Sequence, residues 1–203
     1  MNKIEIIPSI IANSQKELDK IFDRIKIANT IHLDIMDGIY VPNKSLWFDF
    51  KLTRHNYEAH LMTRNPETFI RKYSSEIKTF IVHAEAVSNI GALIDFVHSV
   101  KCRIFLALKP SVPVSSIRRY LRKIDGVLVM TVQPGRYGTQ FIRGMISKIR
   151  QLRGNRNLII EADGSVNDKT IELLKQSGAS RFSVGSYIQK AKDVKKAIES
   201  LEE

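Results

Sequence analysis

A single cysteine, Cys102, occurs in the chain, so no disulfide can form within it, and a reducing, cytoplasmic setting is the expectation. Long apolar runs are missing too: none reaches the ~18 residues that a membrane span needs. The opening segment MNKIEIIPSIIANSQKEL carries Glu5 inside its short apolar run and lacks a small-residue cleavage site, which argues against a signal peptide. Linkers and low-complexity tracts are also absent. With 203 residues, 43% of them hydrophobic, one domain spanning 1–203 is expected. Acidic side chains are the minority, 21 against 32 Lys and Arg, for a net charge of +11. Nucleic-acid binders carry such a charge. Here, however, the cations are spread through KELDKIFDRIK, RRYLRK, SKIRQLRGNR and QKAKDVKKAIE, beside apolar residues at helical spacing, as on solvated helix faces. A general attraction for anionic substrates is a further reading of the charge, and it needs no nucleic acid.

What is present is an alternation. Short β-branched runs (IEIIPSI at 4–10, IHLDIM, YEAHLM at 57–62, KTFIVHAEA, RIFLAL, GVLVMTV, NLIIEAD and SRFSVGS) predict eight strands. Amphipathic stretches predict helices between most of them. Ser14 and Glu17 form a capping box for a helix reaching about Ile27, with Leu18, Ile21, Phe22 and Ile25 on its buried face. Asn65-Pro66 offers an N-cap and a first-turn proline for a helix near 66–74. Further helices are expected at 90–100, 114–124, 142–153 closed by Gly154, 167–177 closed by Gly178, and 190–201. VPNKSLWFDF, between the second and third strands, reads as loop. Strands alternating with helices imply a parallel sheet, and eight units in 203 residues suit a short (β/α)8 barrel. The pattern alone leaves an open doubly wound sheet of six or seven strands as the alternative.

The second strand is unusual. Side chains two apart share a face, so Ile31, Leu33 and Ile35 read as core while His32, Asp34 and Met36 lie together on the other side. Buried polar groups are costly unless paired. In a barrel, functional groups gather at the C-terminal strand ends. Read this way, Ser9 ends the first strand, His60 and Met62 the third, His83 and Glu85 the fourth, Met130 the sixth and Asp163 the seventh. Two imidazoles and two carboxylates from three strands suit Zn²⁺ or another borderline divalent metal, which would compensate the polar face. Each residue has an ordinary structural explanation as well: His83 as a core histidine, the methionines as core filler, Glu58 and Glu161 as interior or exposed polar residues, His55 and His98 as solvated groups. The joint pattern at matching strand ends is what favours a site. A second theme is phosphate: QPGRYGTQF, DGSVN and VGS place glycines before helix starts in three successive loops, where backbone N–H groups can face an anion.

These residues resemble the ribulose-phosphate 3-epimerases. PSI, HLDIMDGIYVPN, HLMTRNPE, VHAEA, VLVMTVQPG, EADGSVN and VGS occur in that family's order along nearly the whole chain. The resemblance implies a TIM barrel that uses one divalent metal, zinc first with iron, manganese or cobalt as alternatives, to invert C3 of a ketopentose phosphate. It implies His32, Asp34, His60 and Asp163 as metal ligands, with Asp34 and Asp163 also as the acid/base pair. It further implies Met36, Met62 and Met130 as thioethers lining the intermediate, Ser9 and His60 as substrate contacts, and Gly135, Gly138, Gly164, Ser165, Gly185 and Ser186 around the substrate and its phosphate. The expected partners are a phosphorylated ketose and further copies of the chain, with neither nucleic acid nor membrane.

Three departures bear on the substrate. Where the family usually reads N-P-G-F-G-G-Q, residues 133–139 read QPGRYGT, placing Arg136 and Tyr137 in the expected covering loop. The family's D-G-G is Asp163-Gly164-Ser165 here, and Lys109 stands where asparagine is common. A ketose phosphate of six carbons, or one with an acidic group that Arg136 or Lys109 could pair with, is therefore an alternative substrate. Phosphate-barrel decarboxylases need a D-x-K-x-x-D cluster, and Met36 stands where that lysine would be. A non-catalytic sugar-phosphate-binding barrel is disfavoured because all four expected ligands are present.

Overall fold

The computed structural model describes residues 4–135, 139–155 and 157–203. Eight parallel strands carry the fold: β1 (Glu5–Ile10), β2 (Thr30–Asp37), β3 (Asn56–Met62), β4 (Thr79–His83), β5 (Arg103–Leu108), β6 (Gly126–Met130), β7 (Ile159–Asp163) and β8 (Arg181–Val184). Each pairs with the next, and β8 returns to β1, so the sheet closes and the open-sheet alternative is excluded. Lys44–Ser45 adds a two-residue antiparallel strand against Met36 and Asp37. The helices are α1 (Gln15–Arg24), α2 (Pro66–Tyr73), α3 (Ile90–Ser99), α4 (Ile146–Leu152), α5 (Ile171–Ser177), α6 (Ser186–Gln189) and α7 (Val194–Glu202). Among the described residues, no helix is long and apolar enough to cross a membrane.

The two faces of each strand meet different environments. Ile31, Leu33 and Ile35 of β2 point outward into the main core, where they pack with helix residues such as Leu18 and Phe22 of α1. The inward face is divided. Ile81, Phe105, Ala107, Leu128, Met130 and Val132 form an apolar wedge on one side of the barrel. His32, Glu58, Glu161 and Arg181 are buried together on the other.

Local chemistry modified several expected helices. Ser14 caps α1 by accepting from Glu17 N–H, but Glu17 reaches back to Asn13 N–H rather than to Ser14, so the box is offset by one residue. The helix ends at Arg24, short of Ile27. Asn65 precedes α2 without a side-chain capping bond. The expected helix at 114–124 is a 3₁₀ segment over Val114–Tyr120; its buried residues, Val114 and Ile117, are three apart, a spacing that three residues per turn satisfies. The 142–153 region begins as 3₁₀ at Arg143–Met145 and becomes helical from Ile146; Arg153, not Gly154, is its C-cap. The helix expected to begin at 167 starts at Ile171, and Gly178 does end it, with φ of 116°. The helix expected at 190–201 is α7, which starts later, at Val194, because Asp193 accepts from Lys196 N–H; a short α6 at Ser186–Gln189 precedes it.

Asp37 ties the barrel mouth together. Its Oδ1 accepts from Ile39 N–H at 2.7 Å and Tyr40 N–H at 2.8 Å, and its Oδ2 accepts from Arg64 N–H at 2.7 Å, joining the loops after β2 and β3. Burial alone would raise its pKa, but the bonds from Arg64, Tyr40 and Ile39 outweigh burial and lower it. The stabilisation is therefore complete above the unfolded value of ~4 and is lost as pH falls through the lower folded value. Asp37→Asn is expected to cost about 2–3 kcal/mol in urea unfolding at neutral pH, with the gap to wild type closing in acid.

Candidate active site

Strand register assembles the candidate site at the C-terminal end of the barrel. Asp34 sits beside His60, Met36 beside Met62, Met130 beside Asp163, and Asp163 beside Ser183. Ligand atoms of His32, Asp34, His60 and Asp163 all lie within 4.8 Å of one another. Asp34 Oδ1 is 3.5 Å from His32 Nε2 and 3.3 Å from His60 Nδ1, and Asp163 Oδ2 is 3.7 Å from that same His60 nitrogen. Both imidazoles are fully buried, while the two carboxylates edge a cavity above them.

That cavity gathers most of the residues the sequence singled out. Ser9, Met36, Met62, Met130, Gly135, Gly164, Ser165, Gly185 and Ser186 line it together with Asp34 and Asp163. The thioethers give it apolar walls, and the loops after β7 and β8 give it a glycine- and serine-lined end. Gly164 has φ of +103°, and a Cβ there would come within 2.3 Å of Val132, so the close approach of that loop requires glycine. Gly138, Arg136 and Tyr137 lie outside the described residues.

The histidines are held from behind. His60 Nε2 meets His83 Nε2 at 2.9 Å, and burial pushes the His83 pKa down to about 4 despite a counteracting contact with Glu85. The two rings share one hydrogen bond through their Nε2 atoms, which leaves His60 Nδ1 facing the carboxylates. His83 is thus neither cavity lining nor simple core filler. For His32, burial favours the neutral ring, but the carboxylates of Asp34, Glu161 and Glu58 around it outweigh burial and raise its pKa. Asp34 shows the reverse outcome: burial opposes its charge, and the bonds to His32 and His60 still carry its pKa well below the usual carboxylate range. Asp163 is raised by burial and by the Asp34 charge.

Residues 5–189 match the ribulose-phosphate 3-epimerase family. The ribulose-phosphate 3-epimerase of Bacillus subtilis is 30% identical, over 98% of both chains. That of Methanocaldococcus jannaschii is 35% identical, over 85% of this chain and 77% of its own length. This chain belongs to the ribulose-phosphate 3-epimerase family. It is accordingly an isomerase of the epimerase type. Solved structures of far lower identity share the barrel. Among them are a 3-keto-L-gulonate-6-phosphate decarboxylase from Vibrio cholerae (12% identical, TM-score 0.72, 98% of this chain and 96% of that one) and an orotidine 5'-monophosphate decarboxylase from Sulfolobus solfataricus (13%, TM-score 0.65, the same coverage). At such identity they speak for the fold alone.

The epimerase's own donor set fits a divalent cation. His32 Nε2 is buried and has no hydrogen-bond partner among the described residues, although it faces Asp34. Two nitrogens and two carboxylates converge on one spot, the mixture that zinc and its neighbours accept. A bound cation would also offset the repulsion between Asp34 and Asp163.

Two departures look different in three dimensions. Lys109 is not part of the cavity lining: its Nζ lies 3.0 Å from Glu85 Oε1, which also accepts from Tyr40 OH at 2.6 Å. Its charge is thus already paired with Glu85. Ser165 does line the cavity, with φ of +50°, and its hydroxyl donates to the Thr139 carbonyl in the loop after β6. In Ser165→Gly, relief of about 1–2 kcal/mol of left-handed strain should roughly offset a lost hydrogen bond of about 1 kcal/mol. Thermal unfolding should change little, while KM for the sugar-phosphate substrate should rise as the tie between the two loops is lost.

Some residues escaped the sequence reading. Ser183 lines the cavity beside Asp163, 1% exposed and with a hydroxyl that has no hydrogen-bond partner among the described residues. Its place two residues before Gly185 on an inward face was the available signal. Arg181 offered the same kind of signal, a cation inside an apolar strand.

Proposed function

We propose that the chain, as one epimerase domain over residues 1–203, interconverts D-ribulose 5-phosphate and D-xylulose 5-phosphate by moving the C3 proton. The observation that carries this reading is the convergence of His32, Asp34, His60 and Asp163 within 4.8 Å beneath a cavity lined by thioethers and glycine-rich loops. The family membership supports it. In this reading the four residues hold one divalent cation, zinc by preference, in a cytoplasmic enzyme.

The C3 hydrogen lies next to the C2 carbonyl and is weakly acidic. Asp34 removes it from one face, and Asp163 delivers a proton to the other; the reverse direction exchanges the roles. His60 holds its Nδ1 toward both carboxylates and is itself held by His83. A divalent cation at this site would act as a Lewis acid, stabilising the negative charge that develops on the substrate oxygens when the proton leaves. Met36, Met62 and Met130 present apolar surface to the intermediate and limit water access. Ser9 contacts the sugar. Backbone N–H groups around Gly164, Ser165, Gly185 and Ser186 receive the phosphate.

The test is a panel of five- and six-carbon ketose phosphates incubated with enzyme in deuterated water and followed by NMR. Exchange confined to C3, with ribulose 5-phosphate turned over fastest, is the expected result. Preference for a six-carbon ketose would transfer the activity to that substrate, and absence of exchange in every sugar would end the epimerase reading.

A further inference from the structure

Beneath the four-residue cluster lies a second group of ionisable side chains that the proton transfer does not use. Glu58, Glu161 and Arg181 each stand two residues before a site residue, Glu58 before His60, Glu161 before Asp163 and Arg181 before Ser183, so they occupy the next layer down on the inward face. Strand register places Glu5 and Glu161 on either side of Arg181, and Glu58 beside His32. The guanidinium uses all its edges: Nη1 reaches Glu5, Nη2 reaches Glu58, and Nε reaches Glu161 Oε2 at 3.1 Å. Glu58 Oε1 in turn accepts from His32 Nδ1 at 2.6 Å. Glu58 and Glu161 are wholly shielded, and Arg181 is 7% exposed.

Burying charge in this way is costly, and well-packed apolar residues of similar volume are often as stable or more so. The other side of the same barrel is filled in that cheaper manner, with Phe105 and Leu128. Stability alone therefore does not account for the network. Its outlet does. His32 Nδ1 is held below, by Glu58 Oε1 at 2.6 Å with Glu161 Oε1 farther off at 3.4 Å, whereas Nε2 has no hydrogen-bond partner among the described residues and points to Asp34 above.

We propose that Glu58, anchored by Arg181, is the positioning residue for His32: it keeps the proton on Nδ1 and fixes the ring so that the Nε2 lone pair is presented to the cation. The inference rests on the metal reading of the preceding subsection. A carboxylate on the far nitrogen of a ligating imidazole fixes its tautomer and increases its basicity. Arg181 gives that carboxylate a single orientation by gripping its second oxygen. Neither residue touches substrate.

Glu58→Gln keeps the shape and removes the anionic acceptor. Zn²⁺ affinity by chelator competition should weaken about 10- to 100-fold, and the visible spectrum of the Co²⁺-loaded protein should shift. NMR of the metal-free wild type should show one far-downfield imidazole proton, assigned to His32 Nδ1–H and lost in Glu58→Gln. Glu58→Gln leaves Arg181 paired with Glu5 and Glu161, and Glu58→Asp keeps the anion while drawing it back from His32 by one methylene. Both variants should stay folded by thermal unfolding, and Zn²⁺ affinity in Glu58→Asp should fall between that of wild type and that of Glu58→Gln. Wild-type affinity in Glu58→Gln would overturn the proposal, as would a wild type without the downfield proton. A wild type that binds no Zn²⁺ would instead overturn the metal reading, and this inference with it.

Discussion

Asp163→Asn is expected to stop epimerisation while leaving the barrel folded. The substitution keeps the size of the side chain and removes its ability to carry a proton to or from carbon. General acid–base catalysis alone is worth about 10²–10⁴-fold in rate, and Asp163 is also a member of the proposed cation cluster. A fall in kcat of at least ~10³-fold is therefore anticipated. The informative measurement follows each epimer separately in deuterated water. Asp34 remains in place, so one epimer should still exchange its C3 hydrogen slowly, without inversion, while the other should not. Circular dichroism on the same samples establishes that the fold persists. Turnover within a few-fold of wild type would be incompatible with a two-carboxylate mechanism.

The second large effect concerns the cation. His60 is fully buried, with Nδ1 facing Asp34 and Asp163 and Nε2 against His83. His60→Ala removes a donor outright, so Zn²⁺ affinity should fall by more than the ~100-fold produced when only a supporting hydrogen bond is lost. Elemental analysis of purified protein should move from about one divalent ion per chain to nearly none. The variant also leaves His83 Nε2 without its partner in a closed space, at a stability cost of about 1–3 kcal/mol. That cost is small enough for the barrel to remain folded and be assayed. Unchanged metal stoichiometry in folded His60→Ala would remove His60 from the ligand set.

The alternation of β-branched runs with amphipathic stretches determined a parallel sheet, because strands joined by helices run parallel; that eight strands close into a barrel was decided by the pairing of β8 with β1. Period-two spacing determined which residues share the inward face: His32 with Asp34 and Met36, and His60 with Met62. The sequence could not decide what those inward residues meet, since contacts across a barrel depend on register between strands that lie far apart in the chain. Register alone placed Asp34 beside His60 and Glu58 beside His32, and closure brought Glu5 of the first strand against Arg181 of the last. The same limit applies to Lys109. Its charge was legible, but its pairing with Glu85 depends on how two neighbouring strand ends meet. Helix type was likewise a tertiary decision at Val114–Tyr120, where a buried pair three residues apart fits a 3₁₀ turn rather than the expected α-helix. Local pattern, in short, assigns a side chain to a face, whereas only the closed sheet assigns it a neighbour, and the chemistry of this site depends on neighbours.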